Sequence, residues 1–87
     1  MKYRLAKQVT LTEVDNEAVL LDIEAGQYFG INHVGARFLK QLENNKNKKQ
    51  AIQHIAQHYQ IDYQQAESDL NELLNSLLAK QLLITVE

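Results

Sequence analysis

The chain changes period about a third of the way along. Before residue 32 its apolar positions repeat every second residue; after it they repeat every third or fourth. Gln8-Val9-Thr10-Leu11-Thr12-Glu13-Val14 is rich in β-branched residues and partly alternating, which predicts a strand. Asp15-Asn16-Glu17 is a polar break with turn character. Ala18 to Glu24 predicts a second strand, with Val19, Leu21 and Ile23 on one face. Ala25-Gly26 follows, and Gly26 is the expected positive-φ residue of a tight hairpin. Gln27-Tyr28-Phe29-Gly30-Ile31 is a third, short strand, with Phe29 and Ile31 on one side and Tyr28 and Gly30 on the other. Short breaks between sequential strands predict an antiparallel meander.

The remainder reads as three helices. Asn32 suits the N-cap of the first, which carries Val34, Phe38, Leu39 and Leu42 at helical spacing. Glu43-Asn44-Asn45-Lys46-Asn47 is a polar connector. The second helix runs from about Lys48 to Tyr59 with an Ile52, Ile55, Ala56 and Tyr59 stripe. The third opens on Asp62 as cap with Gln65 three residues later, a capping-box spacing, and Ile61 and Ala66 at staple positions. Its stripe of Ala66, Leu70, Leu73, Leu74, Leu77 and Leu78 is wide enough to serve the core and still offer an edge. Leu82 to Val86 is a candidate terminal strand. The expected fold is therefore α+β: a three-stranded antiparallel N-terminal sheet followed by three helices, in the manner of a winged helix-turn-helix.

Composition narrows the function. The 87 residues suit a single domain over 1–87 with a thin core. There is no cysteine, so neither a disulfide nor a cysteine-based zinc site supplements that core, and a cytoplasmic setting is expected. The N-terminus lacks the apolar run of a signal peptide, and no stretch reaches membrane-spanning length. Net charge is −2, which argues against nucleic-acid binding by bulk electrostatics. Ten glutamines and seven asparagines, spread over helical surfaces, read as a solvated face.

Candidate chemistry is sparse. His54 and His58 share a helix face, but the residues between them supply no general base, and the pair falls opposite the apolar stripe, so two exposed histidines are expected. His33 is alone at a helix start. Glu67, Asp69 and Glu72 read as solvated charges, and the glycines at 26, 30 and 35 form no phosphate loop. A winged-helix regulator would insert its third helix into DNA, yet from Asp62 to Gln81 the acids are Asp62, Glu67, Asp69 and Glu72 against a single base, Lys80. No catalytic group, metal or cofactor is expected.

The third strand is more informative. In a sequential meander it lies at the sheet edge, and Gln27–Ile31 carries no charge, proline or other edge protection. Either the C-terminal segment covers this edge, or it stays open beside a wide leucine helix. An open edge of that kind is what a strand-adding peptide needs.

These residues also carry a family resemblance. Leu20-Leu21-Asp22, then Gly26-Gln27-Tyr28-Phe29-Gly30-Ile31-Asn32-His33-Val34-Gly35, resembles the PqqD-like proteins, also called RiPP recognition elements. Ile55 to Asp62 and Ser68-Asp69-Leu70 fall where the family has similar residues, and the likeness covers about Val14 to Leu83. The aromatic-x-Ile-Asn form is closer to the stand-alone proteins of lasso-peptide clusters. Three positions depart from the family's habit: His33 for proline, Phe38 for tryptophan, and no glycine just before Leu82-Leu83. The resemblance implies a non-enzymatic domain that binds the leader of a ribosomally made precursor peptide. The leader would add as a strand beside Tyr28, Phe29, Gly30 and Ile31. Ala66, Asp69, Leu70, Leu73 and Leu77 would offer pockets, Gly30 would permit close approach, and Asp69 would pair with a basic leader residue. Implied partners are the precursor peptide, a leader protease and a macrocyclase, with the domain a monomer or dimer. The alternatives are a winged-helix DNA-binding regulator and a PqqD-type chaperone for a radical SAM peptide-modifying enzyme.

Overall fold

The computed structural model describes residues 2–15, 17–44 and 46–86; Asn16 and Asn45, assigned above to a turn and a connector, lie outside them. The elements run β1 (Lys2–Leu5), β2 (Val9–Val14), β3 (Glu17–Asp22), β4 (Gln27–Ile31), α1 (His33–Glu43), α2 (Lys48–Tyr59), α3 (Tyr63–Ala79) and β5 (Leu83–Val86). The expected meander is present as an antiparallel sheet of order β2-β3-β4. Strand β1 was not foreseen. It pairs antiparallel with β5, Lys2 opposite Val86 and Leu5 opposite Leu83, as a separate two-stranded ribbon. Lys2-Tyr3-Arg4-Leu5 alternates polar and apolar, but four residues are too few for a period-two pattern to stand out, so the partner strand reveals them.

Register decides which face of the meander is dry. Leu11 lies opposite Leu20, and Leu20 opposite Phe29, giving one cross-strand row that points at the helices. Ala18 and Leu20 are buried. The row one residue over, Val19 and Leu21, points the other way. Leu21 is 38% exposed and its cross-strand neighbour Tyr28 is 75% exposed. The apolar face formed by Val19, Leu21 and Ile23 is thus the outer one, because a shift of one residue exchanges the two faces of a strand. Gly26 turns the β3–β4 hairpin at φ 67°, as expected, while the Asp22 carboxylate accepts the Ala25 N–H.

Each helix starts on a polar side chain that accepts an otherwise unpaired N–H. Asn32 Oδ1 takes Gly35 N at 2.8 Å. The reciprocal capping box occurs at α2, between Asn47 and Gln50. At α3 only half of one forms. Asp62 accepts from Gln64 N and Gln65 N, but the Gln65 amide reaches forward to Asp69 instead of back to the cap. Two helices end on left-handed glutamines, Gln60 at φ 55° and Gln81 at φ 61°. In both the following residue closes a six-residue ring, Ile61 N to Ala56 O and Leu82 N to Leu77 O. Gln81 stands where the family's glycine was missed, a conformation that costs an L-residue about 1 kcal/mol.

The three helices pack on the inner face of the meander. Leu20, Phe38, Leu39, Leu42, Ile52, Ile55 and Leu82 are the largest fully buried side chains. On α3 the inward positions are Ala66, Leu70, Leu74 and Leu77, at spacings of four, four and three. No described helix is long and apolar enough to cross a membrane.

Adjacent residues of β3 should therefore differ sharply. Leu20→Ala is expected to cost about 2–5 kcal/mol in urea unfolding, and Leu21→Ala less than about 1 kcal/mol. Equal losses would mean the register is wrong by one residue.

Candidate functional site

The C-terminal segment pairs with β1, so it is not available to β4. Among the described strands β4 has β3 as its sole partner, and its other edge presents unpaired backbone groups. Next to that edge is a depression of about 500 Å³ whose walls come from β4, the start of α1 and α3. Gly30 and Ile31 line it from the strand. Asp69, Leu70, Glu72 and Leu73 line it from the helix, and Ile61 stands at one end.

Sequence reasoning named nine residues here. The depression gathers Gly30, Ile31, Asp69, Leu70 and Leu73. Tyr28 points to the outer face of the sheet, and Phe29 is half-buried against the core, so neither side chain lines the depression. Ala66 and Leu77 are core residues of the inward stripe and do not line the depression. The rotation of α3 settles which flank faces β4: Asp69 and Leu73, four apart, with Glu72 beside them.

Five further lining residues had only local signals in the sequence. Asn32 is the α1 cap, Val34 is part of the α1 apolar stripe, Ile61 is at a staple position, and Glu72 lies one turn from Asp69. Gly35 is the fifth. A Cβ there would come within 2.8 Å of Ile31 Cγ1 and 2.9 Å of Leu73 Cδ2. The missing side chain lets strand, first helix and third helix meet, and that meeting sets the floor. The close approach expected at Gly30 is of another kind: a Cβ built there meets nothing within 4 Å.

The rim is acidic. Asp69 receives both of its hydrogen bonds from the Gln65 amide, at 3.1 Å each, and has no cationic partner among the described residues. Glu72 adds a second negative charge. Cations collect elsewhere, where Arg37 and Lys40 lie on α1. There Lys40 pairs with Glu13, whose carboxyl its ammonium holds below the usual carboxylate range.

Residues 17–83 match the family described as coenzyme PQQ synthesis protein D (PqqD). The chain belongs to the PqqD family. The match spans β3 to the start of β5 and so includes both walls of the depression. Among solved structures, this PqqD-family chain is similar to "TbiB1 in Complex with the TbiA(beta) Leader Peptide". Identity is 32% and the TM-score 0.84, over 97% of this chain and 98% of that one. It also shares its fold with "Lasso peptide synthetase B1 complexed with the leader peptide", at 24% identity and TM-score 0.88, over 98% and 100% of the two chains. A comparison with curated proteins finds no match.

The histidines contribute no such site. No group of three or more His, Cys, Asp or Glu side chains is placed to hold a metal among the described residues. His54 and His58 stack at 5.9 Å between ring centroids, and His58 is exposed as expected. His54 is not: it is half-buried, with Nε2 shielded from solvent and unpaired. Desolvation, then the nearby Lys46, His58 and Arg37 charges, lower its pKa. The unfolded chain therefore binds a proton that the folded chain resists. Stability should fall as pH drops from neutral through the ordinary histidine range near about 6.5. His54→Phe is expected to flatten that slope in urea unfolding at paired pH values; an unchanged slope would remove His54 as its source.

Proposed function

We propose that this PqqD-family protein is a non-catalytic recognition element that binds the leader segment of a ribosomally synthesised precursor peptide. The leader adds as a fourth strand to the open edge of β4 and rests its inward side chains in the depression between β4 and α3. One observation carries the reading: the edge of β4, which has no second strand partner among the described strands, opens onto a depression of about 500 Å³, on a fold shared with a protein solved holding a leader peptide. Strand addition supplies main-chain hydrogen bonds to the edge, and the helix supplies the side-chain contacts that select a sequence. Held in this way, the precursor is presented at high effective concentration to the enzymes that act on it, a leader protease and a macrocyclase.

The test is fluorescence anisotropy with a labelled TbiA(beta) leader peptide, run beside a labelled DNA duplex of similar size. Saturable peptide binding with no DNA binding is expected. Salt-sensitive DNA binding without peptide binding would favour a winged-helix regulator and overturn the proposal.

Two substitutions probe the mode of binding. A side chain at Gly30 has free space in the unbound protein, so only an added strand would feel it. Gly30→Val is expected to leave the melting temperature unchanged or raised, because valine favours strands, while peptide affinity falls about tenfold or more. An unaltered affinity would exclude strand addition at this edge. At the rim, Asp69→Lys is expected to weaken a leader peptide carrying a lysine near its apolar anchor by about threefold to tenfold at low salt. The same peptide with that lysine replaced by glutamine should not distinguish the two proteins. Equal losses for both would assign Asp69 a packing role instead of a charge-selecting one.

A further inference from the structure

Ile61 is the exposed large hydrophobic residue that does not belong to the strand segment of the chain; Val14, Leu21, Ile23 and Tyr28, the others described, all do. Its position is imposed. The left-handed Gln60 and the Ile61 N–H bond to Ala56 O hold the backbone, and the Asp62 cap fixes the next residue. A residue so constrained would ordinarily be turned inward as the apolar partner of a helix-end motif. Ile61 instead stays 38% exposed and forms a ridge between two hollows. On one side it closes the end of the depression beside β4. On the other it is the wall of a second depression of about 220 Å³, between α2 and the first turn of α3, lined by Gln53, Ala56, Gln57 and Tyr63.

We infer that the leader site continues across Ile61 into this second hollow, which is a distinct subsite for a residue beyond the strand-adding part of the same peptide. This rests on the leader-binding reading above. Continuity through one shared side chain is what commits the hollow to the leader and not to some other molecule: Ile61 lines both depressions, so a peptide leaving the first at this residue meets the second. The two hollows differ in chemistry. The first is edged by the Asp69 and Glu72 carboxylates. The second is lined by Ala56, the Ile61 wall, the Tyr63 side chain, and two neutral amides, Gln53 and Gln57. Amides both donate and accept, so they complement an uncharged side chain with an apolar body that ends in an amide or hydroxyl. A charged residue would lose water there without gaining an ion partner. The peptide's sequence requirement is thus bipartite: an apolar strand segment with basic character, then an uncharged residue past the Ile61 ridge.

Gln57 is an exposed position of α2, so Gln57→Trp fills the hollow without disturbing the core. Anisotropy is measured with the labelled TbiA(beta) leader peptide and with versions trimmed stepwise from each end, on wild type and Gln57→Trp, with circular dichroism confirming the fold of both. The full peptide is expected to lose about tenfold in affinity for the variant. Trimming one end should lower wild-type affinity by a similar factor and abolish the difference between the two proteins. Trimming the other end should leave that difference intact. Equal binding of the full peptide by both proteins would overturn the second subsite and leave the leader-binding reading standing. Absence of peptide binding by wild type would overturn that reading, and the subsite with it.

Discussion

Everything at the candidate site depends on where the C-terminal segment goes. Leu83–Val86 pairs with Lys2–Leu5, which takes a strand that could have sealed the meander and uses its hydrogen bonds elsewhere. Leu82 and Leu83 are buried by that arrangement, so it is held by apolar packing as well as by the ladder. The edge of β4 is left open as a consequence. Sheets in monomeric proteins usually protect such an edge, because unpaired backbone groups invite indiscriminate pairing. Here the protection is partial and comes from shape. The neighbouring α3 wall makes the edge the side of a trough, which a single extended chain can enter more readily than another folded sheet.

Most of the fold was legible in the sequence because its elements obey their periods. Alternation marked β2, β3 and β4. Asn32, Asp62 and the polar Glu43–Asn47 run marked where helices begin, and the α2 bounds match those read from the pattern. What escaped notice had a physical reason in each case. Strand β1 is too short to announce itself, and it exists because β5 pairs with it. The capping box read at Asp62 failed because Gln65 had a better partner in Asp69, whereas Asn47 and Gln50 had no competitor and formed one.

The site was half legible. The edge strand and the α3 stripe could be found from one-dimensional patterns, but the direction in which α3 is turned could not. Ala66, Leu70, Leu73 and Leu77 all belong to the same apolar arc. Only packing against α1 and α2 commits Ala66 and Leu77 to the core and leaves Leu73 at the trough. Likewise no pattern distinguishes Leu21 from Leu20. Register with Leu11 and Phe29 does. Ile61 was recognised as a staple, which is a local role, and its second role as a dividing ridge depends on two surfaces that meet only in the folded chain.

Gly35 has a consequence for how recognition can be changed. The floor of the trough is the place where Ile31, Gly35 and Leu73 come within touching distance, one residue from each of three elements. Volume there is shared. A larger residue at one position has to be matched by smaller ones at the other two, as in any close-packed interior. Depth of the trough is therefore a property of a triad, not of any one side chain. Redesigning this protein for bulkier or slimmer leaders becomes a problem in exchanging volume among three positions, with the strand edge and its hydrogen bonds left untouched.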